Sequence, residues 1–295
     1  MHNKQYLQAH IYVLIATLLI AGSFPASAKL SGVIDPVSLT LFRFVFAAVL
    51  LSPLIFLRQR YRSKIKRSFK KTMIISLFYS LYFMLLFKAL EYTTALNTGT
   101  LYTLVPILTA LFAIFFFKQQ ISLFQLFVYL LGIIGTCMVV FQGDIQLLYT
   151  LSLNYGDFLF LFAVVSMVLF AITTRYLYEE GDDVIVLTFM TLVGGSLWMS
   201  GAMITFDIPL EWEKIKGELF IYMAYLTIGT TLITVFLNQK ATVILGPKKV
   251  MSYVYLNPAA VALLVFIFEG ISISFWSMIG IGLSGLATIL LLSKE

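Results

Sequence analysis

The chain has 295 residues, 60% of them hydrophobic and 12% charged, with a formal net charge of +6 and a mean hydropathy of +0.96. Soluble globular proteins lie nearer ~45–50% apolar and ~25% charged, and the strand-like alternation that a membrane barrel requires is absent, so the class is an all-α polytopic membrane protein. One cysteine, Cys137, and two histidines, His2 and His10, exclude a disulfide framework, a CxxC pair and a His/Cys metal cluster. The two histidines sit at the N-terminus, where solvation is expected. No cofactor or metal is expected.

A helix needs ~20 mostly apolar residues to span a bilayer, and ten such segments fit: 11–29, 36–57, 72–90, 96–117, 123–141, 157–177, 184–204, 219–237, 249–268 and 275–292. The first reads YVLIATLLIAGSFPASA before Lys29, broken by Gly22, Ser23 and Pro25. It is open to a second reading as a signal peptide ending at Ala26-Ser27-Ala28. In the second, Arg43 lies about seven residues deep. A charge at that depth costs ~2.5–3.5 kcal/mol on insertion, so it should face protein and have a partner. The alternatives are an anchor for an anionic substrate group, a structural pair with Asp35, or snorkelling to the interface.

Between spans two and three lies RQRYRSKIKRSFKK, residues 58–71, with eight basic residues and no acidic one. Positive residues hold short loops in the cytoplasm. This loop, both termini, Lys118 and the group Lys240, Lys248 and Lys249 are therefore expected there, in a cell inner (plasma) membrane. Opposite loops are poor in basic residues, apart from Lys214 and Lys216. The basic surplus serves orientation, with lipid headgroups as a minor partner and no nucleic acid.

Span three places Tyr79, Tyr82 and Phe83 on one face, and ends on Lys88 and Glu91, three apart and able to pair. Span four carries a polar run, Asn97, Thr98, Thr100, Tyr102 and Thr103, and then Pro106 at its midpoint. Asp157 opens span six, where an acid suits a helix N-terminus. In span eight Thr230, Thr234 and Asn238 are spaced by four and share a face, with Thr231 beside them. The alternative for these hydroxyls is bonding to the carbonyl one turn back. Span nine reads KVMSYVYLNPAAVALLVFIF, with Tyr253, Tyr255 and Asn257 just before Pro258. Gly132 and Gly135 in span five, and Gly280, Gly282 and Gly285 in span ten, suit close helix contact.

Shifted by 152 residues, the chain lays Lys88-Ala89 on Lys240-Ala241, Thr103 on Tyr255 and Pro106 on Pro258. A slightly smaller shift matches Phe117-Lys118 to Phe268-Glu269 and Gly135 to Gly285, and a shift of 146 lays Lys29 on Arg175. Residues 1–145 and 146–295 thus read as two units of five spans. Five is odd, so the second unit enters from the other face: an inverted repeat. Cleavage of the first span would leave unequal halves, which weighs against the signal-peptide reading. Proline removes a backbone donor and frees the carbonyl one turn back, which hydrocarbon tolerates only where protein or a wet cavity faces it. Two broken helices related by an in-plane axis bring their breaks together near mid-membrane, where carriers of this design bind solute. The expected lining is Tyr79, Tyr82, Tyr102, Thr103, Thr234, Asn238, Tyr253, Tyr255 and Asn257, with Arg43 as charge anchor and Pro106 and Pro258 as helix breaks.

The stretch from KALEYTTALNTGTLYTLVPILTALF to GTCMVVF, and the corresponding stretch from LTIGTTLITVFLNQKATVILGPKK to GLSGLATILL, resemble the second half of an EamA domain of the drug/metabolite transporter superfamily. Asp35-Pro36 followed by Leu41-Phe42-Arg43-Phe44 resembles the second helix of that domain. The resemblance implies ten helices in two inverted repeats working by alternating access. Two departures stand out: Ala21-Gly22 where the family often has Trp-Gly, and Lys118-Gln119-Gln120 where it has Gly-Glu, while the second repeat keeps an acid, Glu269.

These readings converge on a secondary transporter, an exporter or exchanger, for a small polar or amphipathic metabolite such as an amino acid. The alternative is an uptake permease for a nucleotide-like or other metabolite. An intramembrane enzyme would need a nucleophile and base, paired carboxylates or a metal site, and a channel would need rings of filter groups in an oligomer; neither pattern is present. Proton coupling would use a mid-membrane acid, which the spans lack at mid-depth, so coupling to a proton or to a counter-solute stays open, as does a monomeric or homodimeric state.

Overall fold

The structure is a computed structural model that describes residues 2–30, 32–144, 146 and 153–293. Ten helices are long and apolar enough to cross a membrane. We number them α1 (His2–Leu30), α2 (Pro36–Leu57), α3 (Ile65–Leu90), α4 (Ala95–Tyr102 and Val105–Phe117), α5 (Leu123–Val140), α6 (Tyr155–Tyr176), α7 (Val184–Phe206), α8 (Glu218–Thr227, a π turn Ile228–Ile233, and Thr234–Leu245), α9 (Pro247–Ser252, a 3-10 turn Tyr253–Leu256, and Asn257–Glu269) and α10 (Phe275–Ser293). Successive crossings alternate in direction, so α6–α10 repeat α1–α5 upside down. Both ends of the chain lie on one face, called here the terminal face.

Three helices outrun their apolar windows: α1, which starts at His2 and not at 11, α3 and α8. α3 starts at Ile65, where hydropathy alone starts it at 72, because Lys66, Arg67, Lys70 and Lys71 are good helix formers and Arg67 and Lys71 find acidic partners after α6. α8 reaches Leu245, eight residues past the expected 237. Its polar extension is satisfied from α7: Thr188 Oγ1 donates to Gln239 Oε1 at 2.8 Å, and Gln239 Nε2 donates to Thr191 Oγ1 at 3.0 Å.

The repeats are interleaved. α3 packs on α6, α2 and α3 on α7, α1 on α8 and α9, and α5 on α10. The last contact is backbone-close. A Cβ at Gly135 would lie 2.6 Å from the Ser284 amide nitrogen, and one at Gly280 would lie 2.5 Å from the Gly135 carbonyl oxygen. Large apolar side chains such as Leu57, Phe115, Ile204 and Phe268 point outward, at 80–84% exposure, which suits lipid and not water.

Charge joins the repeats on the terminal face. The basic segment that runs from the end of α2 into the first turns of α3 meets the acidic turn after α6: Arg67 lies 2.9 Å from Glu179, Lys71 2.6 Å from Asp182, Arg60 3.5 Å from Asp183, and Lys64 Nζ donates to the Gly181 carbonyl at 2.8 Å. Arg67 and Lys71 hold the Glu179 carboxyl below the usual carboxylate range. On the opposite face Lys88 pairs with Glu91 at 2.6 Å. Asp157 is fully buried and closes a capping box with Asn154. It also accepts from Thr93 Oγ1 at 2.5 Å and Asn97 Nδ2 at 3.0 Å, tying the α3–α4 link to α6.

Candidate functional site

The two interrupted helices take the same backbone course. In α4 the helix stops at Tyr102 and restarts at Val105; in α9 it tightens to 3-10 over Tyr253–Leu256 and restarts at Asn257. Each proline then occupies the first turn of the following segment, where a missing N–H costs nothing. The break itself lies two residues or more before each proline, closed by three-residue bonds such as Leu104 N to the Leu101 carbonyl at 3.1 Å.

Both breaks face one cavity of about 850 Å³. Tyr102 and Thr103 line it from α4, and Tyr253, Val254, Asn257 and Pro258 from α9. Arg43 of α2, Tyr79 and Tyr82 of α3, and Thr234 and Asn238 of α8 complete the predicted set that lines it. Two predicted members lie elsewhere. Tyr255 is fully buried between α9 and α5, and its hydroxyl donates to the Tyr129 carbonyl at 3.0 Å. Its ring fills the space over Gly132, where a Cβ would come within 2.5 Å of it. The expectation for Tyr255 fails because residues two apart on a helix, whether α or 3-10, point to different sides of its axis, and Tyr253 takes the cavity side. Pro106 is buried in the segment of α4 that packs against α6 and the start of α9, and it does not line the cavity.

Aromatic rings form one wall. Tyr79 lies 5.0 Å from Phe83 and 4.6 Å from Phe170; Tyr82 lies 5.0 Å from Phe83 and 6.2 Å from Tyr102; Tyr102 lies 6.4 Å from Phe160. Sequence reasoning missed Phe160, Met167 and Phe170, which come from α6. Their spacing of seven and three puts them on one helical face, but α6 is apolar all round and that face does not stand out. α1 is a further wall, through Val13, Thr17, Ile20, Ser23 and Ser27.

Arg43 is 3% exposed. Its Nε donates to Thr231 Oγ1 at 2.9 Å and its Nη2 to Thr230 Oγ1 at 3.3 Å, and its guanidinium carbon sits 4.5 Å over the Phe83 ring. Asp35, the acid offered by the sequence as a partner, instead caps α2 by accepting from Val37 N at 2.8 Å. Among the described residues no ion pair involves Arg43. Thr230 and Thr231 both donate to the Leu226 carbonyl, at 3.0 and 2.9 Å, so each hydroxyl oxygen is left to accept from the guanidinium. An ordinary α-turn brings only a residue four places on to that carbonyl. The π turn of 228–233 brings residue 231 there as well. Thr234 likewise donates to the Thr230 carbonyl at 2.6 Å, so back-bonding and cavity lining coexist in α8.

The lining reaches the face opposite the termini through Leu90, Thr93, Gln142 and 271–274. Toward the terminal face it ends at Val13, Val250, Met251 and Tyr253. Beneath them His10 Nδ1 and the Tyr253 hydroxyl lie 2.8 Å apart, and the Lys240 ammonium stands 4.9 Å from the Tyr12 ring. His10, expected in water, is thus a floor contact that ties α1 to α9. The His2 and Glu269 side chains lie outside the described residues.

The EamA-like transporter family profile matches the chain twice, over residues 7–141 and 154–293. The chain belongs to the EamA-like transporter family. This EamA-like protein is therefore a membrane transporter for a small molecule and not an enzyme. It is 25% identical over 232 residues to the uncharacterized transporter YyaM of Bacillus subtilis (strain 168), covering 76% of this chain and 74% of that one. It also superposes on a protein of known crystal structure with a TM-score of 0.74 at 18% identity, covering 96% of each chain, which speaks for the fold alone.

Proposed function

We propose that this protein is a secondary carrier, an exporter or exchanger, that moves a small polar or amphipathic metabolite by alternating access between the two faces of a plasma membrane. Residues 1–145 and 146–295 act as the two moving units, in a monomer or homodimer. The carrying observation is the cavity of about 850 Å³: it is walled by both interrupted helices, reaches one face and is floored at the other. Such a volume lies within the range of small-ligand sites. The basic segment 58–71 on the terminal face supports a cytoplasmic position for both termini, which makes the present conformation outward-facing. Coupling is to a counter-solute or a proton.

Purified protein in liposomes tests the reading. Radiolabelled amino acids and organic acids are offered one at a time, and a carrier gives uptake that saturates and that speeds up when unlabelled solute is trapped inside. Flux rising linearly with concentration would make the protein a pore.

A further inference from the structure

The chemistry of the cavity narrows the solute class beyond that reading, on which this inference rests. We propose that the cavity takes a monocarboxylate, its carboxylate on Arg43 and its apolar body against the aromatic wall. A guanidinium stays charged in proteins, and this one is 97% enclosed with two hydroxyls and a ring face as its partners. A buried charge calls for a counter-charge. Among the described lining residues Arg43 carries the formal charge, and Asp, Glu, Lys and His are absent from that lining, so the compensating negative charge falls to the solute.

The guanidinium fork matches a carboxylate in plane and spacing, which a point charge does not. The two threonine bonds use two of its five donors and fix its plane. Phe83 covers one side of that plane, and Tyr79, Tyr82, Tyr102 and Phe170 extend the apolar wall away from it. One cation balances one negative charge. A zwitterionic amino acid would bring an ammonium group to a lining without a carboxylate among its described residues, and a cationic solute would meet Arg43 itself. The solute class is accordingly an organic monoanion with an aromatic or branched body, in place of the amino acid that the sequence suggested.

Four molecules that share a benzyl body decide it: phenylacetate, phenylacetamide, phenylalanine and phenethylamine, with benzoate and isovalerate as further anions. The full-length protein in detergent is titrated with each, and binding is read from the rise in melting temperature, since a ligand of the folded state stabilises it. We expect saturable shifts from carboxylates, and at least tenfold weaker binding of the amide, the zwitterion and the amine. Arg43→Met should weaken phenylacetate binding by on the order of 30-fold or more, and Arg43→Lys should restore part of it. The wild-type comparison stands by itself if Arg43→Met fails to fold. Equal shifts from phenylacetate and phenylacetamide, no shift from any of the three carboxylates, or unchanged binding by Arg43→Met would overturn the proposal. Saturable, trans-stimulated flux of a zwitterion or an amine alongside such a result would remove the anion inference and leave the carrier reading intact.

Discussion

The interruption in α4 and the interruption in α9 share a backbone course and differ in what they present. At a shift of 152 residues Thr103 and Tyr255 are counterparts, yet Thr103 lines the cavity and Tyr255 is wedged over Gly132. Pro106 is packed among helices, and Pro258 lines the cavity. The segments end alike, each on a left-handed residue, but with Lys118 (φ 54°) in one and Gly270 (φ 68°) in the other. A duplicated unit thus keeps its bends, because hydrocarbon punishes backbone errors at every position, while its side chains are free to divide the work. α4 supplies a hydroxyl to the solute space, and α9 supplies a strut to the α5–α9 contact.

Four substitutions probe that division and a fifth probes the charged clasp, the most disruptive first. Tyr255→Ala should destabilise the protein by about 3–5 kcal/mol, the usual cost of emptying a large buried aromatic site, seen as a lower melting temperature in detergent; a small loss would mean that Tyr255 is no strut. Thr103→Val keeps the volume and removes only the hydroxyl, whose bond to the Thr100 carbonyl at 2.7 Å is local. It should leave the melt nearly unchanged and weaken solute binding several-fold, about 1 kcal/mol. Should the two changes trade effects, the comparison is wrong.

The second pair tests the caps. An L-residue in the left-handed region is strained by about 1–2 kcal/mol, offset in part by the greater unfolded-state freedom of glycine. Lys118→Gly should raise stability by up to about 1 kcal/mol, and Gly270→Ala should lower it by a similar amount, both measured by thermal melt. The smallest effect belongs to the charged clasp. The Glu179 carboxyl is held below its usual range, first by Arg67 and then by Lys71, so its stabilisation is present above the unfolded value of about 4.3 and is lost as pH falls through the lower folded one. Melting temperatures of wild type and Glu179→Gln should differ slightly at pH 7 and converge below about pH 4. A gap that widens on acidification would contradict the assignment.

Much of this architecture was legible in the amino-acid order. Ten apolar windows set the spans, the odd number per unit set the inversion, and a charge at the depth of Arg43 announced an interior position. What stayed hidden depends on rotation about a helix axis. A string of letters places Tyr253 and Tyr255 near the same proline and, two apart, on different sides of the helix, but which of them faces the cavity is set by how α9 packs against α5. The ring face of α6 was invisible because a helix apolar on every side has no preferred direction. The acidic turn Glu179–Asp183 was readable as charge, but its pairing with residues more than a hundred positions earlier is a tertiary fact.

The widened turn at 228–233 has a consequence for anyone who aligns or edits this chain. Holding one residue more than the ordinary pitch, it rotates everything beyond it in α8 by about 100° relative to a wheel drawn from Glu218 onward. Loss of one codon there would redraw the helix without breaking it, leave the downstream half in register with its neighbours, and strand the arginine opposite with one hydroxyl in place of two.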